Sequence, residues 1–249
     1  MPIHAVPTVI KFIFRQFEIE EQSNSVGDKA MQYEWSSWSG NIRFTPARIE
    51  EPENEEQVIA LVQQAIAENR HIRTVGSSHS CSSIFKTDDI LVSTEKLQGV
   101  DCDTTAKTAI VKAGTKIHQL SETLHQAGLA LENIGDVDYQ AIAGAVGTGT
   151  HGAGKQLPNL SGQVIGLRMV TGTKEVVECS QQQTPELLRA ARVSFGTLGI
   201  FTQVQLRLLP AFKLHRREYC THIDDCLAIS GRVDARKPWV CLLLVSAQR

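Results

Sequence analysis

Hydrophobic and polar positions along this chain follow two periods, and the switches between them mark its elements. After Pro52, Val58, Leu61, Val62, Ala65 and Ile66 recur at helical spacing, and Asn54 stands where an N-cap belongs. This predicts a helix with those five residues inward. HIRTV (71–75) and ILVS (90–93) have strand length and strand composition, the first closed by Gly76. TAIVKAG (108–114) predicts a third strand. In KIHQLSETLHQAG (116–128), Ile117, Leu120, Leu124 and Ala127 fall on one helical face, and Gly128 supplies the C-terminal cap. QVIGLRMVTGTKEVVECS (163–180) reads as a hairpin turning near Thr171 and Gly172. TPELLRAARV (184–193) reads as a helix with Thr184 as N-cap and Pro185 at the first helical position. IFTQVQLRLLP (200–210) alternates Val204, Leu206 and Leu208 with Gln205 and Arg207, a half-buried strand ended by Pro210. CLLLVS (241–246) looks like a core strand. Helices and strands are interspersed, with no internal repeat, which indicates a mixed α and β domain.

Composition narrows the class. The chain has 249 residues, 42% hydrophobic and 21% charged, with a formal net charge of −2. That balance gives no electrostatic reason to expect nucleic acid or an anionic membrane. Cys81, Cys102, Cys179, Cys220, Cys226 and Cys241 are scattered without a CxxC pair, which argues against a zinc site or a disulfide framework. No metal is expected, and reduced thiols point to the cytoplasm. The one apolar patch near the N-terminus is broken by Lys11 and Arg15; it is too short to span a membrane and lacks the order of a signal peptide. Peripheral attachment to a membrane stays open. Residues 1–34 read as an extension, with Met31 a candidate start because organised sequence begins there.

Two stretches carry candidate chemistry. AIAGAVGTGTHGAGKQLP (141–158) contains Gly147, Gly149 and Gly152 in GxGxxG spacing, and Gly149, Gly154 and Lys155 in GxxxxGK spacing. A dinucleotide fingerprint needs a helix to begin there, and Gly154 and Pro158 oppose one. A P-loop needs serine or threonine after the lysine to ligate magnesium, and Gln156 stands there. A glycine-dense segment that admits an extended ligand to its amides, or a tight loop between two layers, both remain open. The second stretch is RTVGSSHSCSS (73–83). Its amides and hydroxyls suit a small anion nest. It fails as a hydrolase elbow, because His79 stands where GxSxG requires glycine. His79 and Cys81 are too thin for a metal site. An ordinary loop histidine, hydrogen-bonded to backbone, is the bland reading.

Five pieces occur in a fixed order: WSGNIRFTPARIEEP, RTVGSSHS, VKAGTKIHQL, GLALENIGDVDYQAIAGAVGTGTHGAG and ARVSFGTLGIFTQVQLRLLP. In that order they resemble the PCMH-type FAD-binding domain of the vanillyl-alcohol oxidase superfamily. The likeness is to the sugar-1,4-lactone branch that holds L-gulonolactone oxidase, D-arabinono-1,4-lactone oxidase and alditol oxidase. It implies an α+β fold in which two subdomains, about 35–100 and 101–212, grip an extended FAD. Residues 213–249 would then be only the start of a cap domain. By this resemblance the diphosphate lies on Thr74, Val75, Gly76, Ser77, Ser78, His79 and Ser80. The flavin and ribityl chain lie along Asp136, Ala141, Gly144, Ala145, Val146, Gly147, Thr150 and His151, and Ile200 approaches the adenine side. His79 matches the family's covalent anchor for the flavin 8α-methyl, while Ser78 departs from the glycine usual there. Gly135 matches a position where a side chain blocks oxygen in dehydrogenase relatives, so glycine favours an oxidase.

The implied activity is that of an FAD-dependent oxidoreductase. It would oxidise a CH–OH group of a sugar lactone or polyol by hydride transfer to flavin N5, with dioxygen as acceptor and hydrogen peroxide as product. The groups that orient substrate in these relatives lie beyond this chain. That leaves a truncated product, a separate C-terminal half, or an inactive FAD-binding remnant as readings. An NAD-dependent dehydrogenase is opposed by the missing helix after GTGTHG.

Overall fold

The computed structural model describes residues 33–154 and 156–214, all within one compact unit of the chain, Gln32–Arg249. The apolar N-terminal patch, the strand read at 241–246 and nearly all of the 213–249 segment lie outside the described residues. Strands β1 (Trp35–Ser36) and β2 (Arg43–Phe44) pair antiparallel as a short hairpin. Then come β3 (Arg48–Glu50), helix α1 (Glu55–Ala67), β4 (Ile72–Val75) and β5 (Ile90–Ser93). These three strands form a parallel sheet in the order β3–β5–β4.

The chain continues through β6 (Val100–Asp103), β7 (Thr108–Lys112), α2 (Ile117–Gln126), β8 (Leu129–Ala130) and α3 (Ile142–Gly147). It ends its described part with β9 (Val164–Val170), β10 (Val176–Ser180), α4 (Pro185–Ala191), β11 (Ile200–Arg207) and β12 (Leu209–Pro210). An antiparallel sheet in the order β10–β9–β11–β7–β6 holds five of these strands, and β12 pairs with β8. The mixed α+β architecture expected from the sequence is present.

Local chemistry explains most element boundaries. Asn54 caps α1 by accepting from the Gln57 amide at 2.9 Å. Val58, Leu61, Val62 and Ala65 are buried, but Ile66 is 53% exposed, contrary to the inward face expected of it. It sits about 80° round the helix from Val58, at the edge of the stripe. The Thr184 cap also fails. Thr184 has a left-handed φ of 57°, and its hydroxyl donates to the Gln183 carbonyl instead of accepting a helix amide; an N-cap needs extended backbone. Pro210 does not simply end β11. The chain breaks at Leu208 and pairs again, Leu209 with Ala130 and Pro210 with Leu129, at an edge that asks no N–H of proline.

The glycine-rich 141–147 stretch contains a short helix rather than only loop. The Ile142 and Ala143 amides are taken by the Thr115 and Ala113 carbonyls at 2.9 and 3.1 Å. Ile142, Ala145 and Val146 bury into the core, and the Thr148 hydroxyl closes the end on the Gly144 carbonyl.

One hydrophobic core joins the buried face of α1, Ile90 and Val92 of β5, and the inner face of the five-stranded sheet. Leu91 points the other way, into a smaller core with Phe44, Val75 and Phe85. Burial on both faces is what a central parallel strand requires. The two sheets touch where Gly114 passes Thr94: a Cβ at 114 would lie 1.8 Å from the Thr94 carbonyl oxygen, so only glycine fits. A polar strut adds to this joint. Glu55 at the start of α1 accepts from Arg168 of β9 at 2.8 and 2.7 Å and from Thr202 of β11 at 2.7 Å. These bonds hold its carboxyl below the usual carboxylate range despite partial burial.

Candidate functional site

A cleft of about 250 Å³ opens beyond the carboxyl ends of the parallel strands, where ligands of open α/β sheets collect. One wall is Thr74, Val75, Gly76, Ser77, Ser78, His79 and Ser80 at the end of β4. The facing wall is Ala141, Gly144, Ala145 and Gly147 of α3 and its lead-in. The two walls touch at their base, because a Cβ on Gly76 would meet the Ala141 Cβ at 2.8 Å. The turn before β11, with Phe195, Gly196 and Gly199, and Phe201 at the start of β11 close a third side.

The first wall has free donors. None of the main-chain amides of residues 76–81 donates a hydrogen bond within the described residues. Unpaired amides beside a left-handed residue form a concavity for an anion. Ser78 is that residue, at φ 55°. Serine takes this conformation at a cost that glycine avoids. Its hydroxyl accepts from Trp35 Nε1 at 2.9 Å, and its carbonyl accepts from the Trp38 amide at 3.0 Å. Ser77 donates to the Tyr139 carbonyl at 2.6 Å and accepts from Lys116 Nζ at 2.9 Å. Lys116 also pairs with Glu95 at 2.5 Å, so a cation stands at the edge of the amide row.

His79 is half-buried and makes no hydrogen bond through either ring nitrogen within the described residues. The reading of it as a loop histidine bonded to backbone is therefore overturned. Its ring is stacked on Trp38, with centroids 4.7 Å apart and planes at 26°. Burial, and then the Lys116 charge, hold its pKa below the ordinary imidazole value. The ring thus holds its lone pair free to a lower pH than an ordinary imidazole does.

The remaining sequence candidates do not line the cleft directly. The Val146 and Ile200 side chains are buried in the core behind it. Gly135 lies against residues 150–151: a Cβ there would come 3.0 Å from Thr150 Cγ2 and 3.3 Å from the His151 carbonyl oxygen. Asp136 and His151 are exposed beside it. This patch connects to the cleft through Gln140, which lines the cleft and donates to Thr150 Oγ1 at 3.4 Å.

Several participants were not read from the sequence. Thr94, Gln140, Thr148 and Phe195 line the cleft, and Lys116, Trp35 and Trp38 hold its loop. Both tryptophans precede β4 by more than thirty residues, and only the fold brings them to it. Among the described residues that follow Gly152, no helix begins before Leu160, as the rejection of a Rossmann fingerprint requires.

The FAD binding domain family matches residues 46–180. The chain belongs to this family. It is 40% identical over 185 residues to an L-gulono-1,4-lactone dehydrogenase of Mycobacterium tuberculosis, covering 74% of this chain and 42% of that one. It is 34% identical over 203 residues to a D-arabinono-1,4-lactone oxidase of Eremothecium gossypii, covering 80% and 38%. The chain thus spans about two fifths of the length of these relatives. Among solved structures it resembles the cholesterol oxidase of B. sterolicum, with a TM-score of 0.65 at 21% identity, covering 72% of this chain and 37% of that one; at that identity the likeness speaks for the fold.

The cleft suits the family's cofactor. The amide row and Lys116 match a diphosphate, and Gly144 and Gly147 leave open space on the cleft side, with no atom within 4 Å of an added Cβ. Among the described residues no helix is long and apolar enough to cross a membrane.

Proposed function

We propose that this chain holds FAD in the cleft and serves an oxidoreductase that oxidises a CH–OH group of a sugar 1,4-lactone or polyol. The observation that carries the reading is the run of unpaired amides over residues 76–81, most of it in the lining of a cleft shared with the glycine-rich wall, in a chain of the FAD binding domain family. Bound FAD would take a hydride at its N5 and pass two electrons to dioxygen as hydrogen peroxide. The chain's own part is to bind and orient.

In this reading Thr74 through Ser80 hold the diphosphate, the main-chain donors coming from Gly76 onward past the end of β4, with the Lys116 charge beside them. Ala141, Gly144, Ala145 and Gly147 admit the flavin and ribityl chain closely because they carry little or no side chain. Asp136, Val146, Thr150 and His151 extend that wall, and Ile200 backs the adenine side through its neighbours Gly199 and Phe201. His79, neutral and with both ring nitrogens open, is the attachment point for a covalent flavin. Gly135 keeps a path for dioxygen, which makes the enzyme an oxidase. We read residues 35–100 and 101–212 as two subdomains, one on each sheet. The free thiols of Cys81, Cys102 and Cys179 suit a cytoplasmic setting.

The test is direct. The purified chain should carry an oxidised-flavin absorbance spectrum, and acid-precipitated protein should stay yellow and fluorescent. L-gulono- or D-arabinono-1,4-lactone should release peroxide. Protein that purifies colourless and does not take up added FAD would sink the reading. A G135A variant that consumes oxygen as fast as wild type would remove the oxygen-path role alone.

A further inference from the structure

Three contacts join the β1–β2 hairpin to two consecutive residues of the cleft loop. Trp35 Nε1 donates to the Ser78 hydroxyl at 2.9 Å, the Trp38 amide donates to the Ser78 carbonyl at 3.0 Å, and the Trp38 indole stacks on His79 at 4.7 Å. The hairpin turn is itself firmly built. Ser37 is 4% exposed; its amide donates to the Ile42 carbonyl at 2.9 Å, and its hydroxyl bonds Asn41 and the Ile42 amide at 2.8 and 3.1 Å. Trp38 on that turn is 63% exposed, so it contributes little to the core. Its contact with His79 is what its position accomplishes.

The His79 ring has no hydrogen bond within the described residues, so the stack is the contact that orients it. We infer that Trp38 is a positioning residue for His79, and that Trp35 holds the left-handed Ser78 on which the ring is carried. This rests on the reading of His79 as the flavin attachment residue. Attachment replaces one C–H bond of the flavin 8α-methyl and the imidazole N–H bond with a C–N bond. The two hydrogens and two electrons given up reduce dioxygen to hydrogen peroxide. The nitrogen must meet the methyl carbon along one direction, so a ring fixed in one rotamer reacts faster than one spread over several. Three wells at χ1 and two at χ2 give about six orientations for a released imidazole. Loss of the stack therefore slows attachment about sixfold, with no residue of the cleft lining removed.

The experiment uses the full chain, stripped of non-covalent flavin and mixed with FAD in air. Acid-insoluble flavin fluorescence is followed in wild type, W38A, W38F, W35F and H79A. Expected results are attachment about sixfold slower in W38A, mostly restored in W38F, slowed in W35F and absent in H79A. Affinity for FAD before attachment should stay within about twofold in W38A. Attachment by W38A at the wild-type rate overturns the inference, as does an equal loss of FAD affinity and rate. If wild type holds FAD only non-covalently, the attachment reading fails by itself, and the positioning role is decided by NMR of the His79 ring protons. They should be shifted upfield by the indole in wild type and return to free-imidazole positions in W38A. Unchanged shifts in W38A overturn the inference.

Discussion

Replacing Glu55 with glutamine tests how the two walls of the cleft are held together. Glu55 opens α1, which connects β3 and β4 of the parallel sheet, while its partners Arg168 and Thr202 belong to the antiparallel one. Thr202 neighbours Phe201, which lines the cleft. In Glu55→Gln the shape is kept, but the charge goes and an amide N–H₂ faces the guanidinium. Removing one partner of a fully buried pair costs about 3–5 kcal/mol. Here Glu55 is 17% and Arg168 33% exposed, and Arg168 keeps Glu178, so the cost is lower, about 2 kcal/mol. For a domain of this size that lowers Tm by about 4–8 °C. The folded-state pKa of Glu55 lies below its ordinary value. Its contribution is therefore complete above the ordinary carboxylate pKa and is lost as pH falls through the lowered one. Thermal melts by circular dichroism should show a constant gap between wild type and E55Q from pH 8 to about pH 5, closing at more acid pH. A gap under about 1 °C at pH 7, or one that persists undiminished into acid, would refute the strut.

Other outcomes follow from the site. Ser78→Ala keeps the left-handed backbone but loses the Trp35 bond, and should cost about 1 kcal/mol in denaturant unfolding. Ser78→Gly loses the same bond but relieves about 1 kcal/mol of strain, and should unfold close to wild type; equal losses in both would deny the strain. Gly76→Ala drives a Cβ to 2.8 Å from the Ala141 Cβ and should abolish FAD retention with about 1–3 kcal/mol of lost stability. Because the pKa of His79 is lowered, covalent attachment should stay flat as pH falls through the ordinary imidazole value and drop only below it. Lys116→Gln should move that drop upward by removing the nearby charge; a drop that moves down, or not at all, contradicts the assignment.

The elements that followed their sequence patterns are those whose patterns had one physical meaning. Asn54, the α1 stripe, ILVS and the β9–β10 hairpin each combine a boundary residue with a clear period. The failures have causes outside the local text. Ile66 lies at the margin of a stripe, and Thr184 takes a backbone conformation that denies its hydroxyl the helix amides. Residues 142–147 become helical because Thr115 and Ala113 take the first two amides, a contact made across some thirty residues. At the site, the glycines and His79 stood out as dense motifs, but the motifs alone left an ordinary loop open, and only the fixed order of five pieces joined the two stretches. Trp38 and Lys116 did not stand out, because each acts by reaching across the fold.

The cleft loop carries serine at position 78 in a left-handed conformation that favours glycine, and the structure gives that choice a consequence. Successive amides converge on an anion when one residue in the run is left-handed. Serine in that conformation is strained, so something must offset the strain if the loop is to keep its shape before a ligand arrives. The Trp35 indole does this, and Trp38 fixes the next side chain. Both lie before residue 46, where the family match begins. The loop is thus held by a hairpin outside the matched region. A chain shortened past Trp38 would keep every matched residue, yet it would lose the bond to Ser78 and the stack on His79.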